Sequence, residues 1–182
     1  MRVIAGEMRG RRLHAPPGDQ VRPTPDRVRE ALFSILGPGA LDDTYVLDLF
    51  CGTGALAIEA LSRGAAHATL VDTDIRAARR NIEALGLEDR TDLVRADATD
   101  FLRSGRDQFH FVFCDPPYKL GDRLTKPLSQ LVPNRLRPDG RFIVESPTKN
   151  PMTIDTLDEL TVRRYGSTTI AIYGNQRQEP QE

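Results

Sequence analysis

The chain has 182 residues, 39% of them hydrophobic and 28% charged, with a formal net charge of −1, the composition of one ordinary folded domain. No apolar run reaches membrane-spanning length, and the start MRVIAGEMRGRR lacks the apolar core of a secretion signal, so a cytoplasmic location is expected. Two cysteines, Cys51 and Cys114, and three scattered histidines offer no metal-ligand spacing; no metal is expected, and both thiols read as small buried side chains in a reducing compartment.

Charge is uneven along the chain. Residues 1–30 carry seven arginines against four acids, whereas the remainder carries 18 basic and 22 acidic residues. A basic start on a mildly acidic body suits a polyanion held at one place, and Arg2, Arg9, Arg11, Arg12 and Arg22 are the candidates to hold it. Solvated surface would look the same by charge alone. Pro16, Pro17, Gly18, Pro23 and Pro25 then predict an irregular loop over 14–25. Thr24 reads as a helix N-cap with Pro25 at the first helical position, and Val28, Ala31, Leu32 and Ile35 give that helix its apolar stripe.

From Tyr45 onward strands alternate with helices. Strands are expected at 45–49, 68–71, 91–95, 109–114 and 141–145, and helices at 55–63, 75–85, 98–103 and 123–132. Asp74 reads as the N-cap of the helix from Ile75, which Gly86 ends. A weaker helical stretch is expected after Glu145, then two strands at 160–165 and 168–173 close enough for an antiparallel hairpin at the sheet edge. The tail from 174 to 182 is polar. Repeated β-α-β units imply an α/β fold, a mainly parallel sheet covered by helices on both faces. Ligands in such folds bind beyond the carboxyl ends of the strands, where strand order reverses.

The first strand leads into Asp48-Leu49-Phe50-Cys51-Gly52-Thr53-Gly54-Ala55-Leu56-Ala57. Glycines between a strand and a helix let backbone approach a ligand at the helix N-terminus. The spacing matches a dinucleotide fingerprint, with Asp72 about 20 residues further on, so an NAD-binding oxidoreductase is a competitor. Asp48 argues against it, because a carboxylate there repels a pyrophosphate and favours a cation such as the ammonium and sulfonium of S-adenosylmethionine. Asp72 after the second strand can take ribose hydroxyls, and Asp97, with the backbone of Ala98, can take an adenine amine. Asp74 is a rival for the ribose. Asp48 and Asp72 are both expected at solvent-facing strand ends. Each acid alone also fits a loop residue or a helix cap; together, at successive strands, they are harder to dismiss.

The most specific signal is Asp115-Pro116-Pro117-Tyr118 after the fourth predicted strand. Two prolines fix the backbone and remove N–H donors, leaving carbonyls as acceptors beside an acid and an aromatic ring. That set suits a planar base bearing an –NH2 group. Hydrogen bonds from the amine to Asp115 and to the Pro116 carbonyl would turn its lone pair out of conjugation, and Tyr118 would stack on the ring. The bland alternative is a plain Asp-Pro turn.

This tetrad joined to the Gly-x-Gly loop resembles the amino-methylating class I methyltransferases. Met1–Leu13, Arg22-Pro23-Thr24 and the run from Arg27 to Phe33 narrow the resemblance to the bacterial 16S ribosomal RNA (guanine-966-N2) methyltransferases, the D-type small-subunit family. It covers the chain from Met1 to Tyr173. The resemblance implies a Rossmann-like sheet of seven strands with a small N-terminal extension: extension 1–23, methyltransferase domain 24–173, tail 174–182. It implies S-adenosylmethionine as cofactor, held by Asp48, Cys51, Gly52, Gly54, Asp72, Asp97, Ala98 and Asp115. It implies transfer to guanine N2, with Asp115, Pro116 and Tyr118 catalytic, on 16S RNA in the small subunit or its assembly intermediate. The family more often has glutamate where Asp72 stands. An adenine-N6 or cytosine-N4 methyltransferase would share the tetrad, and a non-catalytic RNA-binding assembly protein would share the basic start.

Overall fold

The computed structural model describes residues 1–15 and 26–175. Arg22, the expected cap Thr24, Pro25 and the tail beyond 175 lie outside those residues. In chain order the elements are α1 (Asp26–Leu36), β1 (Tyr45–Leu49), α2 (Ala55–Ser62), β2 (His67–Asp72), α3 (Arg76–Leu85), β3 (Thr91–Arg95), α4 (Ala98–Ser104), β4 (Phe109–Cys114), α5 (Gly121–Leu131), β5 (Leu136–Pro147), β6 (Asp158–Tyr165) and β7 (Thr168–Gly174). The seven strands form one sheet in the order β3-β2-β1-β4-β5-β7-β6. β1 through β5 pair in parallel, while β7 runs antiparallel to both β5 and β6. The expected α/β sheet with its antiparallel edge hairpin is therefore present. No helix among the described residues is long and apolar enough to cross a membrane.

Alternation along the central strands sends side chains into two cores. Val46 of β1 and Phe111 and Phe113 of β4 face α1, α2 and α3; Leu47, Leu49, Val112 and Cys114 face α4 and α5. Asp48, between Leu47 and Leu49, therefore points toward α2. That helix is buried at all eight positions, consistent with its composition, ALAIEALS.

Four expectations at the element level need correction. On α1 the buried residues are Val28, Arg29, Leu32 and Phe33, with Ala31 and Ile35 only half-buried, because the helix is turned toward Phe33. Ile75, not Asp74, occupies the N-cap of α3; Asp74 still accepts the Arg76 N–H at 3.2 Å and pairs with the Arg76 side chain. No helix follows β5: residues 148–157 run irregularly past Pro147 and Pro151, burying Met152, Ile154 and Leu157. β5 itself begins at Leu136, earlier than expected, since Pro138-Asp139-Gly140 reads locally as a turn yet lies within the strand around a register shift against β4.

Residues 1–15 fold back on α2 and α3. The segment closes on itself through Val3 N–H to Arg11 C=O (2.9 Å) and an antiparallel bridge between Arg2 and Arg12. Val3, Met8 and Leu13 are buried in the first core. The buried Glu59 carboxylate of α2 accepts the N–H groups of Ile4 (2.7 Å) and Ala5 (3.0 Å), and the Ser62 hydroxyl accepts that of Met8 (3.0 Å). Arg2, Arg9, Arg11 and Arg12 stay exposed on its outer side.

Candidate active site

Strand order reverses between β1 and β4, whose carboxyl ends lie side by side with Leu49 opposite Cys114. The loops that leave these two strands, 50–54 and 115–118, therefore meet over the switch point of the sheet. Between them opens a cleft of about 670 Å3. Its wall includes every sequence-predicted cofactor and tetrad residue except Gly54.

The glycine loop is built from left-handed backbone. Phe50 has φ 60°, Gly52 φ 53° and Gly54 φ 78°. At Gly54 a β-carbon would also lie 2.9 Å from Leu70 Cδ2, so both conformation and packing call for glycine, which explains why Gly54 supports the loop from behind. Phe50 adopts this conformation without being glycine, a strain of about 1–3 kcal/mol of the kind that concentrates at functional sites. Two side chains hold the loop from outside. Asp72 Oδ2 accepts the Gly52 N–H at 2.9 Å, and Asn81 Nδ2 donates to the Thr53 carbonyl at 2.9 Å.

Asp48 differs from its expectation. It is 1% exposed instead of solvent-facing, because it sits inside β1 on the α2 face. Its Oδ2 accepts the Ala57 N–H at 3.1 Å in the first turn of α2. Burial pushes this carboxyl up to about 8; the Ala57 bond opposes the shift, and the charges of Asp115 and Asp72 add to it. An acid in that state gains its charge back when a cation is brought beside it. The site thus fits a cationic ligand, and it opposes a pyrophosphate.

The other acids divide by their partners. Asp72 is half-buried and tied to the loop, with Oδ1 also accepting the Asp74 N–H at 3.0 Å. Asp74 is exposed, and its bonds with Arg76 hold it below the usual carboxylate range. Asp97 is the N-cap of α4: its Oδ1 accepts from Thr99 N (2.8 Å), Thr99 Oγ1 (2.6 Å) and Asp100 N (3.3 Å). The Thr99 hydroxyl above all keeps Asp97 ionised. Oδ2 makes none of those three bonds, so capping and ligand contact are compatible. Ala98 is buried beside it. Cys51 and Cys114 are buried thiols whose ionisation burial pushes well up, which leaves neither as a nucleophile.

After β4, Asp115 is half-buried, Pro116 buried and Tyr118 42% exposed at the cleft rim. Tyr118 Oη lies 3.2 Å from Thr168 Oγ1 at the start of β7, which orients the ring. Sequence reasoning missed Glu145. It is 5% exposed and lines both the cleft and the small adjoining pocket beside Tyr118. The signal was available, since Glu145 lies near the carboxyl end of β5 just as the other acids lie at theirs. Phe50, Asn81 and Thr168 carried no such signal; their roles arise from a backbone conformation and two long-range contacts.

A mainly parallel sheet in this order, with an acid-lined cleft over its glycine loop, defines the class: this is an S-adenosylmethionine-dependent methyltransferase of the Rossmann-like kind. The model of the family described as "Conserved hypothetical protein 95" matches residues 1–174, and the chain belongs to that family. Ribosomal RNA small subunit methyltransferase D of Escherichia coli is 39% identical over 153 residues, 82% of this chain and 76% of that protein. The protein of the same name from Haemophilus influenzae is 33% identical over 180 residues, 95% of this chain and 91% of the relative. Among solved structures, a hypothetical protein of Thermus thermophilus superposes with a TM-score of 0.81 at 27% identity, covering 96% of this chain and 99% of the other.

Proposed function

We propose that this chain methylates ribosomal RNA, moving the methyl group of S-adenosylmethionine to the exocyclic N2 amine of a guanine in the 16S RNA of the small subunit. The observation that carries this reading is the opening of Asp115, Pro116 and Tyr118 onto the same cleft as Asp48 and the glycine loop. The kinship to small-subunit RNA methyltransferases points to the substrate.

The bound cofactor supplies an electrophilic methyl group on a positively charged sulfur. Asp48, ionised beside a cation, balances the charge at the methionine end. Asp72 takes the ribose and Asp97 the adenine amine. A base splayed from a single-stranded loop stacks on Tyr118, whose hydroxyl contact with Thr168 fixes the ring. The Asp115 carboxylate and the Pro116 carbonyl accept the two amine protons and turn the nitrogen lone pair toward the donor. As the nitrogen gains positive charge these hydrogen bonds strengthen, which is binding specific to the transition state. Asp115 or water then takes the leaving proton. Arg2, Arg9, Arg11, Arg12 and Arg22 contact the RNA backbone.

Incubation of the protein with purified small subunits, and separately with naked 16S RNA, followed by nucleoside mass spectrometry, tests this. N2-methylguanosine is the expected product. N6-methyladenosine or N4-methylcytidine would instead establish the alternative open to the same tetrad. Absence of methylated nucleoside from both substrates would reject the reading.

A further inference from the structure

Arg29 is an unusual residue for a helix facing the core. It is fully buried on α1, yet it forms part of the cleft wall. Its Nη2 donates to Arg2 C=O and to Asp26 Oδ1 (2.9 Å). Its Nε and Nη1 are buried and have no hydrogen-bond partner. A buried cation with the N–H groups of two of its three nitrogens unpaired is costly, because those groups have lost water and gained nothing. Glu59 adds attraction through its charge, although its own oxygens are taken by Ile4, Ala5 and Arg63. Unpaired guanidinium N–H groups match an oxyanion that arrives with the ligand.

Charge balance in the cleft says which oxyanion. Among the side chains of the described residues that line it, six are acids (Asp48, Asp72, Asp74, Asp97, Asp115 and Glu145) and two are cations, Arg29 and Lys119. Lys119 is exposed at the rim; Arg29 is the buried one. A methionine-type amino-acid end carries an ammonium and a carboxylate within a few bonds. The acids favour the ammonium and repel the carboxylate, so recognition of the whole zwitterion needs a cation at depth. An RNA phosphate is hydrated and stays near the rim.

We propose that Arg29 is the carboxylate seat of the donor site, an unpaired N–H of its guanidinium, on Nη1 or on Nε, donating to the α-carboxylate of the bound sulfonium amino acid. This rests on the donor-site reading above and adds a second pole to it: acids for the ammonium, Arg29 for the carboxylate. The arrangement also ties the donor site to the N-terminal extension, since the same guanidinium holds the Arg2 carbonyl.

Calorimetric binding of two ligands separates the cases: S-adenosylhomocysteine, which has the amino-acid end, and methylthioadenosine, which lacks it. In the parent both should bind, the first more tightly. Arg29→Met should weaken S-adenosylhomocysteine on the order of tenfold or more, as loss of charge-assisted hydrogen bonds does. Its affinity for methylthioadenosine should stay within about twofold, which also shows that the variant is folded. Arg29→Lys keeps the charge without the fork and should fall between parent and Arg29→Met for the first ligand only. If Arg29→Met does not fold, the ratio of the two affinities in Arg29→Lys decides alone. Equal loss for both ligands, or no loss for either, would overturn the seat and leave the donor site standing. Weakened binding of 16S RNA with unchanged S-adenosylhomocysteine would overturn it in favour of a phosphate contact. A parent that binds neither ligand would reject the donor-site reading itself.

Discussion

Asp48 is an acid that the folded chain holds protonated near neutral pH, and this has a direct thermodynamic consequence. Its carboxyl lies at about 8 in the fold against 3.8 for the ordinary group, with burial as the main cause. Between those values the folded state keeps a proton that the unfolded state has released, so this residue's contribution to stability declines as pH rises through that window. The slope has a ceiling of about 1.4 kcal/mol per pH unit. Asp48→Asn removes the titration and keeps an oxygen for Ala57 N–H. Its melting temperature should exceed that of the parent at pH 8, with the gap closing toward pH 4. The same variant should bind S-adenosylhomocysteine more weakly and lose the rise in affinity that the parent shows as pH approaches 8. A uniform drop in melting temperature at every pH would mean that Asp48 is ionised in the free protein. At the tetrad, Asp115→Ala should depress single-turnover methyl transfer strongly, while Asp115→Asn keeps an acceptor and should retain more of the rate. Tyr118→Phe keeps the stacking face and loses only the contact with Thr168, so its effect should be mild; Tyr118→Ala should impair base capture, worth about 1–3 kcal/mol. An Asp115→Ala enzyme as fast as the parent would reduce the tetrad to a turn.

Besides the two hydrophobic cores, a few buried polar side chains join elements distant in sequence. Asn81 on α3 is the clearest case. It accepts the His14 N–H at 2.7 Å, donates to the His14 carbonyl at 3.0 Å and donates to the Thr53 carbonyl at 2.9 Å. One side chain, 1% exposed, thus holds both the N-terminal extension and the glycine loop. Asn81→Ala strands those groups and should cost roughly 1–3 kcal/mol of stability. Because Thr53 belongs to the cofactor loop, donor affinity should fall as well, and backbone amides near His14 should exchange faster with deuterium. Normal exchange near His14 with normal donor affinity would show that the clamp is incidental. The sequence offered no route to this residue: an asparagine in the middle of a helix usually signals only a modest loss of helix propensity.

Across the whole molecule, charges of opposite sign are segregated between the cleft and the N-terminal extension. The cleft concentrates acids, and the extension presents Arg2, Arg9, Arg11 and Arg12 outward after burying Val3, Met8 and Leu13. Neutralising Arg9, Arg11 and Arg12 together should weaken RNA binding and flatten its dependence on salt, since fewer counterions are released, while leaving donor affinity unchanged. Arg11 also donates to the Ala84 carbonyl, a contact at an exposed edge whose loss should matter little to stability. Normal methylation of small subunits by the triple variant at moderate salt would make these arginines ordinary surface.

Much of this architecture was legible from residues alone, because its determinants are local. The limits of β1, β3 and β4 follow from short runs of strand-forming residues, the end of α3 from Gly86, and the cleft acids other than Glu145 from their place at or near strand ends. Three features were not local. The breadth of β5 was hidden by Pro138-Asp139-Gly140, where pairing with β4 overrides a turn signal. The docking of residues 1–15 depends on Glu59, which looks in sequence like one more charged helix residue and is instead sealed against the backbone of Ile4 and Ala5. The protonation of Asp48 and the unpaired N–H groups of Arg29 depend on how much water the finished fold removes from each. Side-chain type and spacing determined which chemistry the chain can present; only packing decided which charges are buried, since desolvation is a property of the assembled core and no single stretch of chain carries it.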